Sequence, residues 1–359
     1  MPSPLSAIDA VSPAFEQTKR QLFKPFRFHH WVRLAVVSLV TGEFAGGGVW
    51  GGGNFSLPSG GGKRPNDFFS LASPAWERVQ EFLPWILLGV FVVVALVLLW
   101  LYVASVYRFI LFDAVLNNRC ELREGWRHWK PQGSSYFLWI IAFGLAMPVV
   151  IVVVIGSPIF FAWRAGVFSQ PKEHLVLLVV GGVALFFLLM ALIFVGAVAA
   201  LFAKDFAVPL MALEDVGILE AWRLLLPMLG AEKLAYTGYV LMKIVLAAGC
   251  AILFGIINLL VLLALLIPLG IGGVALYFLA KAAGLTWNIA TISLVVVLAG
   301  AALMGLLYVV AFVSSPAMVF FQSYTLHFFG SRYPQLGTLV FRTPPSPPAS
   351  PTVAPSTAS

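Results

Sequence analysis

Long runs of apolar residues, separated by short polar stretches, dominate the pattern of this chain. A helix needs about 20 apolar residues to cross roughly 30 Å of hydrocarbon. Five stretches meet that requirement and are each predicted to cross a membrane once. They cover residues 83–107, 136–163, 175–203, 234–266 and 288–313. The fold class predicted from this pattern is all-α, an integral membrane helical bundle.

Length alone does not decide whether two further apolar stretches cross the membrane. Residues 31–44 are apolar but contain Arg33 and Glu43, and glycines follow them. The apolar residues of the stretch at 234–266 continue to position 280, which is too long for one crossing. Pro268 and the glycines that follow it are typical of an interruption, so we expect a short broken segment at the far surface there.

The distribution of Lys and Arg favours a crossing by residues 31–44. If they cross, fifteen basic residues lie on the side of both chain ends and six on the other side. If they do not, the numbers become ten and eleven. Because cytoplasmic loops are enriched in Lys and Arg, we expect about six crossings, with both termini on the cytoplasmic side of a bacterial inner membrane.

Composition agrees with this interpretation and excludes several function classes. Of the 359 residues, 60% are hydrophobic and 10% are charged, against about 25% charged in a soluble domain. An ordinary soluble enzyme is therefore excluded. The net charge of +7 comes from basic residues beside apolar runs, which indicates a lipid surface rather than nucleic acid. Two cysteines and five scattered histidines predict neither a metal site nor a cofactor.

The chain divides into three parts. Residues 1–30 are predicted to form a cytoplasmic amphipathic segment, and residues 31–342 a single transmembrane domain. Residues 343–359 are an uncharged stretch of Pro, Ser, Thr, Ala and Val, which we expect to be disordered because it cannot bury a core.

An internal repeat is visible within the transmembrane domain. Glu, Trp, Arg and Pro occur with the same spacing in residues 124–131 and 220–227, at an offset of 96 residues. The same offset relates Arg108 to Lys204, and a fainter third copy begins near residue 23. We predict three units, approximately 12–117, 118–213 and 214–330, each an interfacial helix followed by a transmembrane hairpin. The alternative is chance similarity between membrane-edge segments, which share these residue types.

Each strong copy predicts a short amphipathic helix lying in the headgroup layer. Apolar residues recur at i, i+4 and i+7, and they are Leu122, Trp126 and Trp129 in one copy and Ile218, Trp222 and Leu225 in the other. Pro25, Pro131 and Pro227 are expected to end these helices. The residues expected to contact lipid headgroups or the interface are Lys24, Arg27, Arg108, Arg127, Lys204, Arg223, Trp126 and Trp222.

Three polar residues are candidates for sites inside the membrane, namely Asp113, Lys243 and Asn258. Each also has a structural interpretation. Asp113 can pair with a basic residue of the interfacial helix, and Lys243 can extend its ammonium group to the interface. Asn258 can donate a hydrogen bond to a neighbouring helix. Lys204 and Asp205, which are adjacent at the end of the fourth crossing, are open to the same two interpretations.

These features leave three functional hypotheses. The first is a non-enzymatic membrane protein that contacts anionic lipid or a protein partner, because no zinc-protease or serine-hydrolase motif is present. The second is a transporter or permease component, favoured by the repeat and by the interruption near Pro268. The third is a lipid-modifying enzyme that uses Asp113 and Asp205. The oligomeric state stays open.

Several segments resemble a family of uncharacterised bacterial and archaeal multi-pass membrane proteins. Residues 12–15, 23–27 and 31–34 resemble the start of that family, residues 108–115 and 124–127 its central signature, and residues 321–329 its closing segment. The chain is also distantly similar to the membrane domain fused to some glycerophosphodiester phosphodiesterases. The resemblance implies the same multi-pass topology. We expect no phosphodiesterase activity, because these 359 residues leave no room for the catalytic domain.

Overall fold

The computed structural model of the protein describes residues 4–23, 28–42, 65–117, 122–170, 172–284 and 288–341. All regular secondary structure in these ranges is helical, which suits a lipid environment because a helix pairs its backbone groups within one segment. In chain order the elements are α1 (Val11–Phe23), α2 (Phe28–Thr41), α3 (Pro65–Asn117), α4 (Leu122–Arg164), α5 (Leu175–Phe202), a π-turn (Ala203–Ala207), α6 (Val208–Glu214), α7 (Ile218–Ala231), α8 (Lys233–Ala282), α9 (Ile289–Gly330) and α10 (Pro334–Val340).

Five of the expected crossings correspond to helices that are long and apolar enough to cross a membrane. They lie in α3, in α4, in α5 with the π-turn and α6, in α8 and in α9. The prediction of an all-α membrane bundle is confirmed.

The first expected crossing differs from the other five. Helix α2 has 14 residues and is about 21 Å long at 1.5 Å per residue, which is shorter than the hydrocarbon layer. Leu34, Val37 and Ser38 of α2 are fully buried, and the helix packs against α9 and α3. The apolar run of residues 31–44 is itself too short for a full crossing, so protein contacts rather than length hold α2 in place.

The expected break near Pro268 is wrong, because α8 runs without interruption from Lys233 to Ala282. A proline removes one backbone hydrogen bond, whereas an interruption in lipid would leave several backbone groups without partners. Continuing the helix therefore costs less free energy than breaking it.

The expectation that prolines end the interfacial helices is also wrong. Pro131 lies inside α4, which continues to Arg164, and Pro227 lies inside α7, which continues to Ala231. Residues 122–130 are thus the first turns of a spanning helix and not a separate flat helix. Pro25 lies outside the described residues.

Both ends of the described chain lie at one end of the bundle. Hydrogen bonds connect the N-terminal segment and the residues after α9 to the ends of other helices, and another joins the start of α7 to α4. These pairs are Leu5 N to Ser331 Oγ (3.1 Å), Gln21 Nε2 to Val115 O (2.5 Å), Ile218 N to Ser135 Oγ (3.2 Å), and the Tyr333 hydroxyl to Glu214. We call the part of the bundle that holds these residues the terminal end.

The protein core is confined to the terminal end. Its largest fully buried side chains include Tyr136, Phe206, Tyr239 and Tyr324. In contrast, the most apolar stretches of α3, α4, α5 and α8 contain no buried residue, and that of α9 is 6% buried. These stretches therefore present apolar side chains that only a nonpolar solvent can cover.

Candidate functional site

A π-turn places Asp205 in the interior of the bundle. Pro209 has no N–H with which to bond the carbonyl of Asp205, four residues earlier, and its ring crowds that carbonyl. The chain accommodates one extra residue in the turn Ala203–Ala207, where the N–H of Val208 donates to the carbonyl of Ala203. This local change of register directs the Asp205 side chain toward α8.

Lys243 of α8 is the charge partner of Asp205. Its Nζ lies 2.5 Å from Oδ2 of Asp205, and the side chains of the two residues are 2% and 3% exposed. The hydroxyl of Tyr239, one helical turn before Lys243, donates to the same carboxylate oxygen at 2.9 Å. An isolated charge is very costly in such a nonpolar environment, so each charge depends on the other.

Helix α9 completes the site with one hydroxyl and two aromatic rings. Thr325 Oγ1 lies 2.7 Å from the hydroxyl oxygen of Tyr239. The ring of Tyr324 stacks on that of Tyr239 with 5.2 Å between centroids, and the ring of Phe328 lies 4.7 Å away. The π-turn, α8 and α9 thus meet at one small polar cluster surrounded by aromatic side chains. We call Asp205, Tyr239, Lys243 and Thr325 the polar cluster.

The other two candidates for intramembrane sites have local partners. Asn258 donates to Ser314 Oγ of α9 at 3.0 Å, a hydrogen bond between neighbouring helices. Asp113 accepts a hydrogen bond from Asn117 Nδ2 at 2.7 Å, and it lines a shallow cleft together with Glu124 and His128. Neither residue belongs to the polar cluster.

The candidate interface residues are spread over the terminal end. Arg108 donates to the hydroxyl of Tyr136 at 2.6 Å, and its guanidinium lies 5.5 Å from the centre of that ring. The side chain of Lys204 is half-buried, whereas Arg127 and Arg223 are exposed. Lys24 and Arg27 lie outside the described residues.

The two tryptophans of the repeat are half-buried in aromatic surroundings. The ring of Trp126 lies 6.0 Å from Tyr102 and 5.9 Å from Tyr107, and that of Trp222 lies 6.3 Å from Trp139. Both contact α3 or α4 rather than projecting freely into the headgroup layer.

Sequence reasoning singled out Lys243 but missed most of its surroundings. Tyr239 and Thr325 were not candidates, and Asp205 was considered beside Lys204 and together with Asp113 but not as a partner of Lys243. The one local signal was the spacing of Tyr239 and Lys243, because residues four apart share a helix face. The contact of Lys243 with Asp205 joins residues that are 38 positions apart, and no spacing rule predicts it.

Tyr333, which follows the spanning helix α9, has a raised pKa. Burial, together with a hydrogen bond to the carboxylate of Glu214, raises the pKa of Tyr333 to about 12. Among the described residues no group of three His, Cys, Asp or Glu could hold a metal ion.

These features define a helical membrane protein with a buried ion pair near one end of the bundle. The chain matches the model of a family of unknown function (DUF7544) over residues 5–339, and it therefore belongs to that family. Neither a curated protein nor a solved structure matches it. The expected similarity to the membrane domain of glycerophosphodiester phosphodiesterases receives no support from these comparisons.

Proposed function

We propose that this is a non-enzymatic multi-pass protein of a cytoplasmic membrane, and that its terminal end binds anionic lipid headgroups. The observation that carries the proposal is the set of exposed basic side chains at the starts of α4 and α7. They are Arg123, Arg127, Lys130 and Arg223. Each Lys or Arg near an anionic surface contributes about 1 kcal/mol to binding.

Two further features support this proposal. The starts of α4 and α7 lie side by side, since Gln132 of α4 donates to Asp215 and Ile218 donates to Ser135. The half-buried Trp126 and Trp222 lie close to these basic residues in sequence, and tryptophan favours the boundary between lipid and water. Because Lys and Arg are enriched on the terminal end, we propose that this end faces the cytoplasm.

The test compares two double variants in nanodiscs of phosphatidylcholine with a fixed fraction of phosphatidylglycerol. Arg127→Gln/Arg223→Gln removes two charges at the terminal end, and Arg164→Gln/Lys281→Gln removes two exposed charges at the opposite ends of α4 and α8. Native mass spectrometry counts the retained phosphatidylglycerol. We expect the first variant to lose about fivefold in affinity per charge, with a strong salt dependence, and the second to match the parent. Equal retention by both variants would contradict the proposal.

A second candidate function is a transporter component for a small solute. One of its two supports, an interrupted helix near Pro268, is lost because α8 is continuous. The buried pair of Asp205 and Lys243 now favours it, since charges inside a membrane often mark solute or ion pathways. Thermal stabilisation of the protein by one solute from a broad panel, lost in Asp205→Leu/Lys243→Met, would support transport. No stabilisation across the panel would argue against it.

A further inference from the structure

We propose that the cleft between the end of α3 and the start of α4 binds a primary ammonium group with a phosphate attached a short distance away, the chemistry of ethanolamine phosphate. Five residues line this cleft, and they are Asp113, Glu124, Gly125, His128 and Trp129. Its volume of about 310 Å³ is at the lower end of the range for small-molecule sites, which suits a ligand of few atoms. We call it the acidic cleft.

Asp113 supplies the acceptor for the ammonium group. The residue is half-buried near the end of α3, and its Oδ1 accepts a hydrogen bond from Nδ2 of Asn117 at 2.7 Å. Within the described ranges, no hydrogen bond or ion pair engages the other carboxylate oxygen, Oδ2. Glu124 adds a second carboxylate to the lining. Because hydrogen bonds between ionised partners are the strong ones, such a cleft favours a cationic donor.

Trp129 contributes a hydrogen-bond donor that the protein itself does not use. The residue is 7% exposed, lines the acidic cleft and stacks on the ring of Phe109 with 5.9 Å between centroids. In the described part of the chain, its indole N–H donates to no other residue. A buried indole usually has a partner for its N–H, so this donor indicates an acceptor oxygen on the ligand.

The lining favours a primary ammonium over a metal ion or a quaternary ammonium. No group of three His, Cys, Asp or Glu among the described residues could hold a metal, and this includes Asp113, Glu124 and His128. A quaternary ammonium is bound by the faces of aromatic rings, whereas the acidic cleft offers one indole with a face against Phe109. A primary ammonium has three N–H donors, which match the carboxylate of Asp113.

Basic residues lie beside the acidic cleft on the same helix. Glu124 and His128 are one turn apart on α4. Arg123 and Arg127 immediately precede them, have the same spacing and are exposed. Residues four apart share a helix face, so a basic stripe adjoins the stripe that lines the cleft. A phosphate joined to the ammonium by a short linker can contact this basic stripe. The inference rests on the proposed function to this extent, because both arginines also belong to the proposed anionic-lipid surface.

The walls of the acidic cleft are two closely packed helices. A Cβ at Gly125 would lie 3.1 Å from Cγ1 of Ile110, so α4 approaches α3 closely at this point. Groups carried by helices are held more precisely than groups carried by loops. The site is therefore preformed and does not depend on a segment that must fold around the ligand.

The experiment counts lipids retained by the full chain in nanodiscs of phosphatidylcholine with fixed fractions of phosphatidylethanolamine and phosphatidylglycerol, by native mass spectrometry. Asp113→Asn keeps the shape of the side chain and removes its charge, and Trp129→Phe keeps an aromatic ring and removes the N–H. The matched control is Glu173→Gln, which changes an exposed carboxylate beyond the opposite end of α4. Thermal unfolding verifies that each variant is folded.

We expect the parent and Glu173→Gln to retain phosphatidylethanolamine in preference to phosphatidylcholine. Asp113→Asn should lose about tenfold or more of this affinity, because a hydrogen bond between charged groups is lost, and Trp129→Phe should lose several-fold. A comparison on the parent alone needs no variant to fold. It replaces phosphatidylethanolamine by its N-acetyl derivative, which keeps the phosphate and lacks the ammonium charge, and retention should fall by a similar factor.

Soluble ethanolamine phosphate, added to the protein in phosphatidylcholine nanodiscs, distinguishes a free ligand from a headgroup. Saturable binding in calorimetry that Asp113→Asn abolishes would support a free ligand, and selective retention of the lipid alone would support a headgroup. If neither form binds the parent better than it binds Asp113→Asn, the inference is overturned.

The same spectra separate this failure from failure of the proposed function. If Asp113→Asn matches the parent while Arg127→Gln/Arg223→Gln loses phosphatidylglycerol, only the inference about the acidic cleft is overturned. If Asp113→Asn loses phosphatidylethanolamine while the double arginine variant keeps phosphatidylglycerol, the acidic cleft is supported and the anionic-lipid surface is contradicted.

Discussion

Arg332 holds the N-terminal segment against the bundle through a hydrogen bond from its Nη1 to the main-chain carbonyl of Leu5, at 2.9 Å. The same guanidinium donates from Nε to Glu232 at 2.7 Å and lies 4.0 Å from the centre of the Phe328 ring. One nearly buried side chain therefore joins the chain's beginning, the start of α8 and the end of α9.

Loss of this arginine should release the N-terminal segment. Arg332→Gln removes hydrogen bonds of a charged donor, each worth about 1.5–3 kcal/mol, so we expect cleavage by protease before α1 to become at least several-fold faster. Arg123→Gln, which changes an exposed arginine at the same end of the bundle, should leave the cleavage rate unchanged. Equal rates in both variants would show that Arg332 does not hold this segment.

The proximity of Leu5 and Ser331 predicts that the two termini face the same compartment. Reporters fused before Met1 and after Ser359 should both respond to a reagent added from one side of sealed membranes, and neither should respond from the other side. Reporters that respond from opposite sides would contradict the arrangement of α1, α2 and α9.

Removing one partner of the ion pair should destabilise the protein more than removing both. Asp205→Asn removes the carboxylate that pairs with the buried ammonium of Lys243, and we expect it to lower the free energy of unfolding by about 3–5 kcal/mol. Asp205→Leu/Lys243→Met should lie close to the parent. Thermal unfolding in detergent measures both, with Glu173→Gln at an exposed position as the control. A double variant less stable than Asp205→Asn would contradict this account.

Gly133 sets the distance between α3 and α4. A Cβ at this position would lie 2.6 Å from Cγ2 and 3.0 Å from Cα of Val106, so Gly133→Ala forces the helices apart. We expect a loss of about 1–3 kcal/mol from overpacking. Gly144→Ala on the same helix meets no atom within 4 Å and should be neutral or slightly stabilising, because alanine favours helix. Similar thermal stability of the two variants would exclude a close contact at Gly133.

The raised pKa of Tyr333 predicts that its contribution to stability is lost at alkaline pH. Its pKa in the folded protein is about 12, above the ordinary value of about 10 for tyrosine. A group with a raised pKa stabilises the folded state fully below the unfolded pKa, and this contribution disappears as pH rises through the folded pKa. The free energies of unfolding of the parent and of Tyr333→Phe should therefore differ at neutral pH, and the difference should disappear between about pH 10 and 12.

The sequence was sufficient to predict the spanning helices but not to predict where they are interrupted. Length and apolar content identify a spanning helix because both reflect the thickness of the hydrocarbon layer. Proline has opposite effects at different positions, and its sequence context does not distinguish them. Pro131, Pro227 and Pro268 lie inside continuous helices, whereas Pro209 accompanies a π-turn.

The internal repeat stays a prediction, with one new observation in its favour. Helix α4 begins at Leu122 and α7 begins at Ile218, which is the same offset of 96 residues. The two copies then diverge, since α4 continues across the membrane whereas α7 ends at Ala231. The polar cluster is not repeated, because the offset relates Asp205 to Phe109 and Lys243 to Met147. Its chemistry therefore arises from differences between the copies, which similarity alone does not reveal.

The length of α8 has a consequence for the surrounding lipid. Its 50 residues extend about 75 Å, more than twice the hydrocarbon thickness, and apolar side chains cover it almost to its end. Such a helix must tilt steeply or locally thicken the bilayer. Each ångström of hydrophobic mismatch changes the free energy by a fraction of a kcal/mol. Short-chain and long-chain lipids should therefore set different inclinations of α8, so the protein's shape depends on which membrane surrounds it.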